Sequence, residues 1–452
     1  MLLSGSGGNR EGPNHLYFPE FDTPEQNHGI AEHLDYERHN NVFGKFSWGA
    51  FSLEGANVER TKGVPTASYE QLFNDRASRT EDRRTFITAT YNEQFQQDWD
   101  VYLRLNYHQY VFKGTYPMGS PKIINKDLGR GEWWDSEFRL TNTSFSQHKL
   151  MVGVEIQDNL QQLLQNYDVD GATYLNIPYS SVRYGGYIQD EYQPFDTLRL
   201  GLGARYDYNP LGGSSANPRV SVIWQALEST TLKLLYGTAF RAPNVSERFY
   251  FDSASYKANP GVKPETIRTL EVILEHFFSP STRFSTSYYH YDSKKLINQQ
   301  TDPNDGLIFY GNIDSAIADG LELEGEQRFG NYLQARASYV WQQVKDNVGN
   351  ILINSPQHQA KLNISARLWS DQWHLGFETQ YMSSRLSLTN RVNDNVITNI
   401  NLNADLFKNF GMSFGVYNLW DMHYHDPMSE GFVQDSIAQD GRTFRIKLTL
   451  KL

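Results

Sequence analysis

The sequence predicts an all-β chain folded as a transmembrane antiparallel β-barrel, and three observations carry that reading. Apolar and polar residues alternate with a period of two over runs of roughly ten to thirteen residues, the length of a tilted strand crossing a bilayer and about twice that of a sandwich strand. The polar side of these runs holds full charges, which a wet lumen tolerates and a packed core does not. Connections between the runs are alternately short and long, as periplasmic turns and extracellular loops are in outer-membrane barrels.

At the N-terminus, Leu2-Leu3-Ser4-Gly5-Ser6 reads as the last half of a strand rising into a first long loop, 7–40. About nineteen strands follow, from Asn41–Trp48 to Thr443–Leu452. In Thr197 to Asn209, Leu198, Leu200, Leu202, Ala204, Tyr206 and Tyr208 share one face, while Arg199, Gly201, Gly203, Arg205 and Asp207 share the other. Asp100 to His108, Leu333 to Gln342 and the closing Phe444, Ile446, Leu448, Leu450 and Leu452 repeat the pattern. Short turns fall at 48–50, 95–98, 144–147, 193–196, 228–230, 279–281, 330–331, 370–371 and 408–409. Long polar loops are expected at 60–83, 113–130, 159–180, 242–264 and 421–440. Trp224, Trp341, Trp369, Trp373 and Tyr381 stand near strand ends, where interfacial aromatic girdles sit. Neither a linker nor a solenoid repeat interrupts the chain, so 1–452 reads as one barrel domain.

Composition narrows the function. The 452 residues carry 41 basic and 52 acidic side chains, a net charge of −11, which argues against a nucleic-acid partner. With no cysteine, disulfides, thiolate metal sites and Cys nucleophiles are excluded. There is no apolar run of about 18 residues and hence no transmembrane helix; strands need none, because only alternate residues face lipid. Met1-Leu2-Leu3-Ser4-Gly5 lacks the basic and apolar regions of a signal peptide.

Specific motifs add a resemblance. Phe240-Arg241-Ala242-Pro243, followed by Asn259-Pro260-Gly261-Val262-Lys263-Pro264-Glu265, resembles the barrel motif around the large central loop of TonB-dependent outer-membrane receptors. Asn312 to Glu324, Asn418-Leu419-Trp420-Asp421 and Gly441-Arg442-Thr443-Phe444-Arg445 resemble later strands of that barrel, so the likeness runs from about residue 41 to the end. The resemblance implies an outer-membrane location and uptake of a scarce metal chelate, in the first place a ferric siderophore, by a monomer bathed in outer-membrane lipid. The family barrel has about 22 strands around an N-terminal plug that receives the pull of TonB. Counting back from Thr443–Leu452 makes Asn41–Trp48 the fourth of these. The chain therefore reads as N-terminally truncated, lacking the plug and first strands, with a TonB complex reached only through the missing plug. Nineteen strands would leave the first and last parallel at the seam, and an open edge in lipid leaves backbone groups unsatisfied. Members of the family usually end on an aromatic residue; this chain ends on Leu452. A passive porin-like channel, a non-functional truncated fragment and a soluble carbohydrate-active β-protein are the rival readings, the last disfavoured by strand length and loop segregation.

No catalytic residue, cofactor or metal site is expected. The lumen-wall carboxylates Glu271, Glu275, Glu322, Glu324 and Glu326 could be taken for paired acids, but on a wet wall such residues are solvated or paired with arginines of adjacent strands, and in the family they face the plug. His423 and His425, between Asp421 and Asp426, have the chemistry of a metal clamp, with plain hydrogen bonding the simpler reading. Haem receptors resembling this family place a histidine between the two central motifs, and 244–258 contains none. Asp168 to Gly171 and Asp302 to Gly306 read as turns rather than calcium loops. No P-loop, HExxH or GxSxG element occurs. Ligand contact is expected instead on loop aromatics, namely Tyr17, Phe18, Tyr69, Phe73, Tyr116, Phe249, Tyr250, Phe251 and Tyr256, with Arg248 and Lys257 suited to an anionic ferric chelate. The plainer alternative is that these rings pack the loops together.

Overall fold

Each alternating run pairs with the next in chain order, and the computed structural model, which describes residues 1–252 and 255–450, shows one 20-stranded antiparallel sheet. Its strands are β1 (Leu2–Arg10), β2 (Glu37–Trp48), β3 (Phe51–Gly63), β4 (Arg79–Phe95), β5 (Trp99–Met118), β6 (Ile123–Asn142), β7 (His148–Asp168), β8 (Thr173–Phe195), β9 (Leu198–Asn209) and β10 (Gly213–Leu227). They continue as β11 (Thr230–Arg241), β12 (Glu265–Ser279), β13 (Thr282–Thr301), β14 (Ile308–Phe329), β15 (Leu333–Asp346), β16 (His358–Leu368), β17 (Trp373–Met382), β18 (Asn395–Phe407), β19 (Phe410–Tyr417) and β20 (Thr443–Leu450).

The period-two pattern sets which way the strands face. On β9, Leu202 is 60% exposed and Tyr206 48% exposed, while Gly201, Gly203, Arg205 and Asp207 turn to the other side. Exposed Trp48, Phe95, Phe145, Phe195, Phe278, Phe329, Trp369 and Phe407 gather beside the short turns, an aromatic belt at the periplasmic rim. Across the polar face, opposite charges knit neighbouring strands. Lys233 of β11 reaches Glu275 of β12 at 2.7 Å, Glu275 reaches Arg283 of β13 at 3.0 Å, and Arg283 reaches Glu324 of β14 at 2.9 Å. Arg336 of β15 completes the row on Glu324. Close approach also fixes register. Tyr187 lies over Gly153 and Tyr289 over Gly320, each directly opposite in the ladder, and a Cβ at either glycine would fall inside the ring.

The structure changes three sequence expectations. Leu2–Arg10 is a full strand, paired with β2 from Leu2↔Lys45 to Arg10↔Glu37, rather than a stump ending at Ser6. With twenty strands the first and last run antiparallel, so the expected parallel seam is corrected. Among the described residues no ladder joins β1 to β20, and an Arg10–Asp440 ion pair ties their extracellular ends. The terminal Leu452 lies outside the described residues. Two expected long loops, 113–130 and 159–180, are instead hairpins. Pairing continues to Met118↔Ile123 and to Thr173↔Tyr167, so Tyr116 stands on a strand, not a loop. Above the bilayer a ladder needs no apolar outer face, which is why these polar, Gly- and Asn-containing stretches read as loops.

The remaining long loops build their own core. Phe18, Phe21, Ala31 and Leu34 of the first loop bury against Ala67, and Phe73 stacks on Phe21 with centroids 4.3 Å apart. A short helix α1 (Val245–Phe249) opens the central loop with a capping box between Asn244 and Glu247.

Candidate functional site

The central loop is fastened at its base by the motif residues. Arg241, the last residue of β11, donates to both carboxylate oxygens of Glu265 at 2.8 Å and of Glu247 at 2.9 Å. Pro243, next to Ala242, is fully buried. On the returning limb, Asn259 donates to the Tyr310 carbonyl at 2.8 Å, and Pro260 accepts from Arg248. The Lys263 amide donates to Asn312 at 2.8 Å, and Glu265, just past Pro264, accepts from the Ile297 amide at 2.6 Å. Phe240 lies on the wall of a lumen cavity. These bonds hold the loop inward over the lumen, against β13 and β14. The last loop is pinned likewise: Asn418 bridges the Met422 and Asp440 carbonyls, and Asp421 accepts from the Arg442 amide at 2.7 Å.

Under this roof lies a cavity of about 300 Å³ lined by Tyr69, Tyr116, Tyr250, Tyr256 and Tyr310 with Asn125, Asp127, Asn166, Asp252 and Gln299. Four of the aromatic residues singled out from the sequence meet here from separate segments. The Tyr250 and Tyr256 rings meet edge to face at 5.4 Å, and Tyr256 lies 5.7 Å from Tyr69 and 6.2 Å from Tyr310. The Tyr250 hydroxyl donates to the Asp127 carboxylate at 2.9 Å, and Asn166 donates to the same group at 2.8 Å. Burial, with Asp127 alongside, pushes the Tyr250 hydroxyl far above the ordinary tyrosine range, so it stays a donor at any physiological pH. Gln299 donates to the Tyr256 hydroxyl at 2.7 Å and to that of Tyr310 at 3.1 Å. Asp252 caps the Ser255 and Tyr256 amides.

Other expected contact residues sit elsewhere. Phe73 belongs to the loop core, and Phe251 is partly exposed at 37%. Arg248 is spent on the Pro260 and Leu211 carbonyls, while Lys257 pairs with Asp302 and with Asp305 at 2.8 Å. His425 lies 3.4 Å from the Ser436 hydroxyl in a short ladder beside His423. Among the described residues no group of three or more His, Asp or Glu is placed to hold a metal. Of the wall glutamates, Glu271 accepts from Tyr291, Glu322 from Ser287, and Glu326 from Arg328 and Gln334. Sequence reasoning missed Asp127, Asn125, Asn166, Gln299 and Tyr310. Asn125, Asp127 and Asn166 lie in stretches that read as polar loops, and only the pairing register brings them together.

Farther down β5 to β7, toward the turns, a second cavity of about 610 Å³ has a different lining: Arg84, Arg104, Arg183, Arg205, Arg219 and Arg241 against Asp135, Glu155 and Asp207. His108 stacks on Trp133 there at 4.8 Å and lies 3.3 Å from Asp135.

A long-stranded antiparallel sheet with a lipid-facing apolar side, a charged lumen and an inward-folded roof defines an outer-membrane β-barrel of receptor type. The family model for TonB dependent receptor-like β-barrels matches residues 21–419, and the chain belongs to that family. The iron-regulated outer membrane virulence protein of Vibrio cholerae serotype O1 is 25% identical over 257 residues, 51% of this chain and 39% of that protein. The vitamin B12 transporter BtuB of the same serotype is 24% identical over 379 residues, 75% of this chain and 58% of that protein. The chain thus spans less than two thirds of the length of either relative. Among solved structures, the pyoverdine outer membrane receptor FpvA of Pseudomonas aeruginosa PAO1 superposes with a TM-score of 0.74 at 15% identity, over 92% of this chain and 71% of that one. The siderophore receptor PirA of Acinetobacter baumannii gives 0.72 at 16%, over 92% and 71%. At such identities the likeness is one of fold.

Proposed function

We propose that this barrel belongs to an outer-membrane receptor that takes up a scarce metal chelate, in the first place a ferric siderophore, acting as a monomer and without covalent chemistry. The observation that carries the reading is the roofed chamber. Two loops and the tops of several strands converge on rigid tyrosine rings and a few aimed polar groups, the composition of a small-molecule site rather than of an open pore. Rigid rings lose little entropy on binding, so they suit flat or ring-bearing chelates. Coupling to the TonB complex is read as acting through a plug within the lumen and not through the barrel wall. BtuB is named a transporter and FpvA and PirA are named receptors, which supports a non-enzymatic role.

The test is titration of the folded chain in detergent with a ferric hydroxamate, a ferric catecholate and cobalamin, followed by quenching of intrinsic fluorescence. Saturable quenching by one of them, weakened at least tenfold in a Tyr250→Ala/Tyr256→Ala variant, is expected. Free passage of small solutes through reconstituted vesicles, with no saturable binding, would replace this reading with the porin-like channel.

A further inference from the structure

We infer that the last extracellular loop, 421–440, is a latch that holds one wall of the tyrosine chamber in a sprung backbone conformation. What the latch serves rests on reading the chamber as the ligand site; the latch itself stands on geometry alone. The wall is Tyr69, in the loop between β3 and β4. That loop is anchored on both sides of Tyr69 without help from the last loop. The Val64 amide donates to the Ser78 carbonyl at 3.2 Å, and the Leu72 amide to the Pro117 carbonyl of β5 at 2.8 Å. Between these anchors Ala67, Tyr69 and Glu70 hold φ values of +48°, +56° and +61°. The left-handed region is costly for any residue with a Cβ, and such conformations persist only where the surroundings over-determine them. The last loop supplies that constraint. Its Gly431 carbonyl accepts from the Tyr69 amide at 2.7 Å, and Gln434, 1% exposed, donates to the Thr66 carbonyl at 2.9 Å. Gly431 is itself at φ +87°, and a Cβ there would overlap the Tyr69 ring. From the other side, Thr301 at the end of β13 donates to Glu430 at 2.7 Å, and Asp435 accepts from the Thr389 amide at 2.9 Å. Lifting 430–435 therefore removes the bonds that oppose relaxation. Residues 67–70 then return toward negative φ and take the Tyr69 ring out of the chamber wall. Linkage makes the effect reciprocal: a ligand resting on Tyr69 tightens the last loop, and whatever binds the last loop from outside changes the chamber.

The experiment takes the full chain, free of native cysteine, with Ser68→Cys, folds it in detergent and times its reaction with a charged maleimide. Ser68 lies within the sprung segment and is 4% exposed, so labelling requires the latch to open. Gly431→Ala should speed labelling about tenfold or more, because its Cβ displaces Tyr69 and its own φ is positive. Gln434→Ala, which removes the Thr66 bond, should speed it about fivefold. Glu70→Gly should act in the opposite sense. Glu70 is exposed, and glycine relieves its positive φ while the latch bonds stay in place, so labelling should slow about threefold. That slowing separates a sprung latch from a passive contact, where each substitution would only loosen the loop. Should Gly431→Ala fail to fold, Gln434→Ala and Glu70→Gly carry the test by their opposite signs. Rates within about twofold of the parent in all variants, or faster labelling in Glu70→Gly, overturn the inference. The labelling needs no ligand, so its outcome is separate from that of the chelate titration. The expected order of rates without saturable chelate binding would uphold the latch and refute the receptor reading; saturable binding with unchanged rates would do the reverse.

Discussion

Replacing Arg241 by Ala should free the central loop without unfolding the barrel. Arg241 makes four charge-assisted hydrogen bonds of 2.8–2.9 Å to Glu247 and Glu265. Buried bonds of that kind contribute about 1.5–3 kcal/mol each, but the Arg241 side chain is 46% exposed, against 12% for Glu247 and 17% for Glu265. Solvent screening therefore leaves about 1 kcal/mol per carboxylate, or about 2 kcal/mol for the clamp. That corresponds to roughly a 30-fold larger opening constant. Trypsin reads it directly, since Arg248 and Lys257 lie inside the loop, and cleavage follows the open population when closing is fast. The Ala variant should be cut there about 30-fold faster, with Arg241→Lys in between because a lysine cannot span two carboxylates in bidentate fashion. Cleavage at Arg76, in a different loop, should not change. An increase below threefold, or an equal increase at Arg76, would refute the clamp.

Two further outcomes follow from local geometry. Lys257 holds Asp302 and Asp305 below the ordinary carboxylate value of 3.8, and Asp302 lifts Lys257 above 10.5. The carboxylate contribution is thus present above about pH 4 and lost as pH falls through the depressed values, while the lysine contribution is lost only as pH rises past its elevated one. Hydrogen exchange of the Lys257 and Ile308 amides, corrected for intrinsic rates, should be flat from pH 5 to 9 and accelerate below about pH 4; a step near neutrality would contradict the assignment. Gly320→Ala should destabilise the barrel by about 1–3 kcal/mol, because its Cβ collides with the Tyr289 ring and breaks the 3.0 Å bond from Tyr289 to Gln342. Gly325→Ala on the same strand meets nothing within 4 Å and should be neutral in the same urea titration of vesicle-folded protein.

The barrel was legible where lipid imposes alternation, as in Thr197 to Asn209, and at the short turns, where Gly, Ser, Asn and Asp interrupt it. It was less legible outside the bilayer. Lys113 to Arg130 looks like a loop because its inner face carries the polar chamber-wall residues Asn125 and Asp127 and so shows no apolar alternation, yet the backbone still pairs residue for residue. The chamber was half visible for a related reason. Tyr69, Tyr250 and Tyr256 announce themselves as aromatics in polar loops. Asp127 and Asn166, by contrast, meet only because register sets them directly opposite in the β6–β7 ladder, a relation no local pattern reveals. Phe73 has the same composition signal as Tyr69, but its ring lacks a hydroxyl and packs with Phe18 and Phe21.

The bilayer orientation of the strands is the claim on which everything else depends, and the absence of cysteine makes it directly measurable. Single cysteines placed at each position from 199 to 207 in β9 would be labelled with a fluorophore in lipid vesicles. Quenching by brominated lipid should peak at 200, 202, 204 and 206, while reaction with a charged maleimide should peak at 199, 201, 203, 205 and 207. Uniform water access at both sets of positions, or quenching with the opposite parity, would contradict the barrel as described.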